Sequence, residues 1–448
     1  MDYTINLLYF AEYIIWGVFL LRSHYINELN AQMEGKEVSL CGWVHEVRNI
    51  GKIVFMLLRD NTGIVQVTAK EGVVNKEIME KMDLPKESVV MVKGIVSKNS
   101  EAKKGFEIIP KEVIDLNPLS SKIPFEVTGK VPADLDVRLE YRYIDLRRRE
   151  TTAIFKIEST ILQTFRSILY KSGFTEIRTP SIVAAATEGG TELFPVTYFE
   201  RIAYLSQSPQ LYKQLAVIGG LDKVFMIVPV FRAEKHNTTE HLNEITQMDI
   251  EMGFANHEDV IKVLKKVGVG IIKEVKKKNA QELEELGVDL KVPKPVEVTY
   301  TKALERLNQN GISIEFGEDL KREHEEMIAK LYGDFVVLKG YPTKVRAFYT
   351  MPNEKNPEIS NSFDLIYKGL EISSGAQRIH IPQLLEEAIR KRGMDPKNFE
   401  FYINAFRQGA PPHAGWSIGL ERFAMKITNK SNIRECSLFP RDRTRVTP

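Results

Sequence analysis

Short apolar runs with polar turn residues between them dominate the chain from about Lys36 to Val113. Five of these runs are rich in Val, Ile and Phe: EVSLCGWV, KIVFMLLRD, GIVQVTAK, SVVMVKGIV and FEIIPKEV. Runs of this kind, bounded by Gly, Asn, Lys or Ser, are typical of β-strands. The pattern predicts a small closed five-stranded barrel of the oligonucleotide-binding (OB) type, which we place at residues 23–117.

Beyond the barrel, helical spacing replaces strand alternation. Residues 118–150 are polar and contain prolines, and we interpret them as a hinge. Residues 152–172 repeat apolar side chains at helical intervals, and Gly173 stands where that helix is expected to end. Lys-rich residues 261–280 predict a solvated amphipathic helix. Helices alternate with strands over residues 151–448, which predicts one α+β domain with an antiparallel sheet and packed helices.

The N-terminus carries an apolar run, INLLYFAEYIIWGVFLL, with one charged residue, Glu12. It is slightly short for a membrane span, and it lacks the basic start and the small-residue cleavage site of a signal peptide. We treat residues 1–22 as a hydrophobic extension of unknown role, either a translated upstream stretch without function or a real hydrophobic helix. A membrane anchor is the less favoured interpretation.

Composition adds few constraints. The chain has 448 residues, 43% of them hydrophobic, and 62 basic against 60 acidic residues give a net charge of +2. Any nucleic-acid-binding surface must therefore come from a local cluster of positive charge and not from the net charge of the chain. Cys41 and Cys436 match no metal-ligand or disulfide spacing, so we predict a protein of the reducing cytoplasm.

Three segments carry residue types suited to a polyphosphate and a carboxylate. In FRAEKHNTTEHLNEITQMDIEM, Arg232 stands two residues before Glu234 at the end of an apolar strand, so alternation puts both on one face. A plain strand-end ion pair explains that segment alone equally well. GWSIGLERFAMKI sets a Gly-rich turn before a helix that bears Arg422, and GFTEIRTPSIV opens a strand at Pro180.

Taken in chain order, which puts GFTEIRTPSIV first and GWSIGLERFAMKI last, the three segments resemble the three signature motifs of class II aminoacyl-tRNA synthetases. The resemblance to the aspartyl enzymes of the archaeal and eukaryotic branch covers residues 23–448. It implies ATP-dependent attachment of L-aspartate to tRNA(Asp) through an aspartyl-adenylate, and Pro180 matches a proline at a homodimer interface. Arg232, Glu234 and Arg422 match the catalytic positions. The ATP-binding positions implied are Arg232, Glu234, His241, Leu242, Glu371, Gly419, Leu420, Glu421 and Arg422.

The resemblance also implies a pocket for aspartate. The matching positions are Glu188, Gln210, Lys213, Arg232, Asp249, Ser374 and Arg378. Lys213 and Arg378 supply the cations that a buried β-carboxylate needs. The nearest rival, the asparaginyl enzyme, as a rule lacks this lysine, and a lysyl enzyme would need acids instead.

Magnesium is implied in the same way, because hard oxygen ligands suit it. Asp364, Glu371 and Ser374 match the metal-binding positions of the family. Without the resemblance, these carboxylates are more typical of a solvated pair on sheet strands.

In the barrel, Arg48, Phe55 and Gln66 match positions that read the central uracil of the anticodon. Taken alone, Phe55 is more typical of a core residue. Two further positions bear on the choice of tRNA: His45 favours an enzyme strict for tRNA(Asp), whereas Lys103 favours one that also charges tRNA(Asn). The sequence leaves both alternatives open.

Three residues depart from the family pattern: Glu240, Ile245 and Trp416. Glu240 replaces a usual arginine, so the departures put affinity rather than reaction type in doubt. Two other functions remain as alternatives. An RNA-binding protein with an inactive synthetase-like domain is disfavoured by the intact motif residues, and a paralogue that makes free asparagine is disfavoured by the barrel.

Overall fold

The computed structural model describes residues 21–117, 119–184, 193–235 and 238–448. The chain divides into two compact units, one up to Phe125 and one from Glu126. In the described ranges, no helix is both long and apolar enough to cross a membrane. The hydrophobic extension at residues 1–22 lies outside the described residues, except for its last two positions.

The first unit contains the predicted barrel. Its closed strand order is β1-β2-β3-β5-β4, and the helix α1 connects β3 to β4. Alternate residues of each strand point inward, as Val54, Met56 and Leu58 do on β2. The OB-type prediction is confirmed. The elements are β1 Glu37–Asn49, β2 Ile53–Arg59, β3 Ile64–Lys70, α1 Lys76–Lys81, β4 Val89–Lys98 and β5 Phe106–Asn117.

The second unit is built on an eight-stranded sheet with the order β12-β13-β14-β15-β16-β11-β10-β6. Its strands are β6 Thr175–Glu176, β10 Lys223–Phe231, β11 Glu244–Gly253, β12 Val296–Thr299, β13 Phe335–Lys339, β14 Ser362–Tyr367, β15 Leu370–Gln377 and β16 His413–Gly419. A separate small sheet, of order β7-β9-β8, consists of β7 Ile182–Val183, β8 Pro195–Tyr198 and β9 Arg201–Leu205.

The predicted α+β class is confirmed, with one difference in the sheet. Its central strands are antiparallel, but the edge pairs β12–β13 and β10–β6 are parallel. Helices separate β12 from β13, and such a crossover is what a parallel pair requires. The helices of this unit are α2 Leu135–Glu140, α3 Arg142–Asp145, α4 Arg149–Lys171, α5 Gln210–Ala216, α6 His257–Lys278, α7 Ala280–Glu285, α8 Tyr300–Gln309, α9 Arg322–Tyr332, α10 Pro382–Lys391, α11 Glu400–Arg407 and α12 Leu420–Ile427.

The main core lies between the sheet and the helices α4 and α6. Phe165 of α4 packs against Phe225 and Trp416 of the sheet, and Ile271 of α6 belongs to the same buried cluster. Burying one such aromatic side chain stabilises the fold by roughly 1.5–3 kcal/mol. The helices α4 and α6 correspond to the predicted helices at residues 152–172 and 261–280.

The stretch predicted as a hinge, residues 118–150, contains α2 and α3, and from Glu126 it belongs to the second unit. Arg142 explains this assignment. Its guanidinium is fully buried, pairs with Asp145 and donates to the backbone carbonyls of Glu435, Ser437 and Leu438. These contacts join residues almost 300 positions apart in the sequence, so the local composition of residues 118–150 could not predict them.

Candidate active site and anticodon surface

Four polar residues lie in one row across the central strands. Asp249 of β11 is opposite Ser417 of β16, Ser417 is opposite Ser374 of β15, and Ser374 is opposite Asp364 of β14. Opposite residues on neighbouring strands point to the same face. The four side chains therefore form one polar floor, while the next residue along β16, Trp416, points into the core.

A cavity of about 230 Å³ lies over Asp249, Ser417 and Ser374 of this floor, and six of the seven residues predicted to bind aspartate are in its wall. We call it the aspartate cavity. The six are Gln210, Lys213, Arg232, Asp249, Ser374 and Arg378. The seventh, Glu188, lies outside the described residues.

The two cations predicted to hold the substrate side chain are themselves paired with carboxylates of β11. Lys213 Nζ lies 2.5 Å from Asp249 Oδ1 and 3.6 Å from Glu251 Oε2. Arg378 donates through Nε and Nη2 to the two oxygens of Glu251, at 2.9 and 3.1 Å. Ser417 Oγ donates to Asp249 Oδ2 at 2.9 Å. The cationic groups are thus held in place before a substrate binds.

Charge complementarity follows from this set of groups. Within the described ranges, Lys213, Arg232, Arg346 and Arg378 are four cations of this cavity, and Asp249, Glu251 and Asp364 are the three carboxylates that pair with three of them. One positive charge is left over, which matches the single net negative charge of aspartate. Asparagine has no net charge, so it would leave that cation uncompensated in a buried site.

The two carboxylates differ in how firmly they stay ionised. Burial raises the pKa of Asp249, and Lys213 and Ser417 reduce that rise without cancelling it. Burial acts on Glu251 in the same direction, but Arg378 and Lys213 outweigh it and hold the pKa of Glu251 below its usual value. Glu251 is therefore the fixed anion of the site, and the charge of Asp249 depends on Lys213.

A second cavity, of about 130 Å³, is lined by eight of the nine residues predicted to bind ATP, and we call it the nucleotide cavity. The eight are Arg232, Glu234, His241, Leu242, Glu371, Gly419, Glu421 and Arg422. The ninth, Leu420, packs in the hydrophobic core. Four residues line both cavities, namely Arg232, Gln247, Ser374 and Ser417.

Arg422, in the first turn of α12, holds the wall of the nucleotide cavity together. It donates to the backbone carbonyl of Glu371 at 3.2 Å and to that of Glu240 at 3.4 Å. Its Nη2 lies 3.2 Å from His241 Nε2, and His241 Nδ1 lies 2.6 Å from Thr238 Oγ1. Burial lowers the pKa of His241. A neutral ring that accepts from Arg422 and donates to Thr238 satisfies both contacts.

Glu421 faces the same cavity but is tied to the backbone. Its carboxylate accepts from the Thr246 N–H at 2.9 and 3.0 Å. Burial raises the pKa of Glu421 to about 7. The side chain thus fixes the start of β11 relative to α12.

The three predicted metal positions come together on β14 and β15. Asp364 Oδ2 accepts from Arg346 Nη2 at 2.6 Å, and Arg346 Nη1 donates to Ser374 Oγ at 3.2 Å. Within the described ranges, Asp364 Oδ1 is buried without a hydrogen-bond partner. Burial, and then the charge of Asp364, raise the pKa of Glu371 to about 8. Two crowded carboxylates and an unsatisfied buried oxygen fit a divalent cation, although the described residues contain no cluster of three His, Cys, Asp or Glu ligands.

The three departures from the family pattern lie in different places. Trp416 is fully buried and donates its indole N–H to the Val260 carbonyl at 3.0 Å, so it does not enter either cavity. Ile245 and Glu240 line the nucleotide cavity, and Glu240 pairs with Arg322 of α9. Pro180, the predicted dimer residue, is exposed just before β7 of the small sheet.

On the barrel, the predicted anticodon residues share the outer face. Arg48 of β1 lies opposite Phe55 of β2, which lies opposite Thr68 of β3. Phe55 is half-buried and stays outside the barrel core, and Arg48 is exposed. Gln66 Nε2 donates to Glu107 Oε2 at 2.9 Å and to Thr68 Oγ1 at 3.2 Å. The amide is therefore fixed with its oxygen turned away from Glu107.

His45 and Lys103, the two residues that bear on the choice of tRNA, have different surroundings. His45 Nδ1 lies 3.0 Å from Arg59 Nη1, and Arg59 Nη2 donates to the buried Glu87 at 2.7 Å. Lys103 is exposed in the turn between β4 and β5. His45 is thus half-buried and in contact with Arg59, while Lys103 is exposed to solvent.

Sequence reasoning missed several residues of these sites. They are Arg346, Glu251, Gln247, Ser417 and Glu325 at the cavities and Glu107 on the barrel. Glu251 is the clearest case, because strand alternation from Asp249 puts it on the same face. The others depend on register or on distant elements, for which the sequence carries no local signal.

The comparisons with known proteins agree with this geometry. The family described as class II tRNA synthetases (D, K and N) matches residues 134–443, and the OB-fold nucleic acid binding domain matches residues 38–116. The aspartate–tRNA(Asp/Asn) ligase of Methanocaldococcus jannaschii is 49% identical over 430 residues, which are 95% of this chain and 98% of that protein. This chain belongs to the class II aspartate–tRNA ligases.

The solved structures that resemble this chain support its fold, but they do not distinguish aspartate from asparagine as the amino-acid substrate. Asparaginyl-tRNA synthetase from Pyrococcus horikoshii, complexed with asparaginyl-adenylate, matches with a TM-score of 0.90 and 32% identity over 96% of this chain and 100% of that chain. Aspartyl tRNA synthetase from Entamoeba histolytica matches with a TM-score of 0.85 and 33% identity over 96% of this chain and 93% of that chain. The distinction between the two amino acids therefore depends on sequence identity and on the pocket.

Proposed function

We propose that this chain uses ATP to attach L-aspartate to both tRNA(Asp) and tRNA(Asn). The observation that carries the proposal is the position of Arg232 in the walls of both cavities. A guanidinium there reaches a carboxylate on one side and a phosphate on the other, with two parallel hydrogen bonds to each kind of group. Relatives named aspartate–tRNA(Asp/Asn) ligases, at 46–49% identity, support the two tRNA substrates.

In the first step, an α-carboxylate oxygen of aspartate attacks the α-phosphorus of ATP. The bond from that phosphorus to the oxygen bridging the β-phosphate breaks, and pyrophosphate leaves. Arg232 binds both reacting groups, while Lys213 and Arg378 hold the β-carboxylate away from the reaction. Asp249 and Gln210 receive the ammonium group, with Glu188 as a further predicted contact. The reaction needs no protein nucleophile, because positioning and charge neutralisation lower the barrier.

The nucleotide lies between β11, β15 and the start of α12. Arg422 offers a planar cation for the adenine face and the terminal phosphate, and Glu234 and the neutral His241 provide polar contacts. Gly419 leaves room for close approach of the nucleotide to the backbone. Glu421 contributes indirectly, because it fixes the cavity wall through Thr246.

Asp364, Glu371 and Ser374 would hold Mg²⁺. Among the described residues, the buried, unsatisfied Asp364 Oδ1 and the raised pKa of Glu371 support a cation at this place. The ion supplies neutralisation of the negative charge of the triphosphate and pyrophosphate. Arg346, which bridges Asp364 and Ser374, orients both side chains.

In the second step, a hydroxyl of the terminal ribose of the tRNA attacks the adenylate carbonyl, and AMP leaves. Recognition of that tRNA depends on the barrel. Phe55 stacks on the central anticodon base and Arg48 contacts the backbone. Because Gln66 uses its NH₂ group on Glu107 and Thr68, its oxygen accepts from a base N–H. Uracil offers its N3–H at that edge, whereas N3 of cytosine is an acceptor and the only donor of cytosine there is its N4 amino group.

The anticodons for aspartate and asparagine share this central uracil and differ at the third base. His45, in contact with Arg59, and the exposed Lys103 are the predicted residues near that base. The names of the relatives favour the relaxed choice that Lys103 indicates.

We also propose a cytoplasmic homodimer. The two cysteines, both buried free thiols in the described chain, fit a reducing compartment. Pro180 adjoins the small sheet, whose β8–β9 hairpin exposes the large apolar side chains of Phe199 and Ile202. Such exposure in one region is typical of a protein interface.

The decisive experiment is aminoacylation with radiolabelled aspartate and asparagine on separate transcripts of tRNA(Asp) and tRNA(Asn). We expect aspartate on both transcripts and asparagine on neither. Aspartate on tRNA(Asp) alone would limit the enzyme to one tRNA and give His45 the greater weight. Absence of charging on both transcripts would contradict the proposal and revive the RNA-binding alternative.

A further inference from the structure

Glu240 places a carboxylate in the wall of the cavity that is to receive a triphosphate. Its side chain is about one-quarter exposed, so its charge is only partly screened by solvent. ATP carries several negative charges, and an unpaired carboxylate beside it would weaken binding by like-charge repulsion.

Arg322, in the first turn of α9, compensates that charge. Its Nη1 pairs directly with Glu240 Oε1, and its Nε donates to Glu326 Oε1 at 2.8 Å. Glu326 lies one helical turn further along α9 and is half-exposed. One guanidinium therefore joins a carboxylate in the cavity wall to a carboxylate on its own helix.

Glu240 also belongs to the loop that carries the nucleotide contacts. Its N–H donates to Thr238 Oγ1 at 3.3 Å, and its carbonyl accepts from Arg422 Nε at 3.4 Å. Thr238 in turn contacts His241. A shift of Glu240 would therefore move Arg422 and His241 together.

The first turn of α9 touches the site at a second point. Glu325 Oε2 accepts from the Glu371 N–H on β15 at 2.9 Å. Arg322 and Glu325 are three residues apart, so they lie on one face of the helix. The helix thus reaches both the loop after β10 and the strand β15, on two sides of the nucleotide cavity.

From these contacts we infer that Arg322 is a positioning residue of the ATP site: it neutralises Glu240 and holds the loop at residues 238–241 in the conformation that binds the triphosphate. The inference rests on the proposed ATP-dependent function. Repulsion by an uncompensated Glu240 acts on bound ATP and on the transition state alike. Loss of Arg322 should therefore raise the KM for ATP and leave kcat nearly unchanged.

The test is aspartate-dependent exchange of pyrophosphate into ATP with four variants. We expect Arg322→Gln to raise the KM for ATP about tenfold, with kcat within about twofold and the KM for aspartate unchanged. Lys426 of α12 also attracts the Glu240 carboxylate, which limits the expected rise in the KM for ATP. The double variant Glu240→Gln with Arg322→Gln should return the KM to within about threefold of the wild type, as should the swapped pair Glu240→Arg with Arg322→Glu.

Glu326→Gln is the matched control, because it removes the other carboxylate that Arg322 contacts, outside the nucleotide cavity. It should leave the KM for ATP unchanged. An unchanged KM in Arg322→Gln would overturn the inference, and so would a double variant as impaired as the single one, which would indicate a structural role. A wild-type protein without aspartate-dependent exchange would instead contradict the proposed function, so the two failures are distinguishable.

Discussion

At the scale of single residues, the amino-acid pocket is a set of opposite charges held at hydrogen-bond distance. Lys213 and Arg378 are almost fully buried, and each has a carboxylate partner on β11. Buried ion pairs of this kind contribute little net stability, but loss of one partner leaves an uncompensated charge and costs about 3–5 kcal/mol. The pocket is therefore sensitive to any change in its charge.

Lys213→Leu tests this directly. We expect aspartate-dependent pyrophosphate exchange to fall by at least about a hundredfold, because the buried β-carboxylate of the substrate loses a cationic partner and about 3 kcal/mol of binding corresponds to that factor. The fold should survive, since burial already raises the pKa of Asp249 and the carboxyl group can take up a proton. Exchange kinetics with a circular-dichroism melt measure both effects. Lys262→Leu, on the exposed face of α6, is the control, and wild-type exchange in Lys213→Leu would refute the pocket assignment.

At the scale of elements, strand alternation decides which side chains can act. On β2, Met56 points into the barrel and Phe55 points outward, although both are large and apolar. On β16, Trp416 enters the core and Ser417 enters the site. A glycine on the same strand has a comparable role: a Cβ at Gly415 would overlap the Glu251 carboxylate that holds Arg378. Small residues here preserve the geometry of the pocket.

Phe55→Ala distinguishes the two faces of β2. Loss of a base stack costs about 1–3 kcal/mol, so kcat/KM for tRNA should fall roughly tenfold to a hundredfold while pyrophosphate exchange stays at the wild-type rate. Met56→Ala is the comparison, because truncation of a buried methionine costs about 2–5 kcal/mol of unfolding free energy. Charging assays and thermal melts give the readout. If Phe55→Ala loses as much thermal stability as Met56→Ala, then Phe55 is a structural residue.

At the scale of the whole molecule, the exposed apolar side chains of the small sheet bear on the oligomeric state. Phe199 and Ile202 are 80% and 64% exposed on the β8–β9 hairpin, in the small sheet that follows Pro180. Two large apolar side chains at one turn are costly in water unless another surface covers them. We propose that a second copy of the chain buries these two side chains in a dimer interface.

We expect the variant with both Phe199→Asp and Ile202→Asp to sediment as a monomer, whereas the wild type sediments as a dimer. Charges introduced into an apolar interface must be desolvated without partners, which disfavours association. Sedimentation velocity gives the result. Val73→Asp, at an equally exposed apolar position on the barrel, should leave the dimer intact. A wild-type monomer, or a dimeric double variant, would contradict the proposed interface.

Many of the elements of this protein, and its family, could be predicted from the sequence alone. Local periodicity was sufficient for the five barrel strands and for α4 and α6, because alternation and helical spacing are properties of neighbouring residues. The order of the three motifs indicated the family, and the resemblance named most of the residues that line the two cavities, although Leu420 packs in the core and Arg346, Gln247 and Ser417 were missed. Each element and each motif is encoded in a short stretch of chain, and the order of the motifs is read along the sequence.

The tertiary structure alone decided which of these residues meet. The register of β11, β16, β15 and β14 aligns four polar side chains in one row, and nothing in any one strand specifies that register. The pairing of Glu240 with Arg322 joins residues 82 positions apart, and Arg142 contacts the backbone of Glu435 and Leu438, almost 300 positions away. Such contacts depend on how separate elements pack, so no local pattern could predict them.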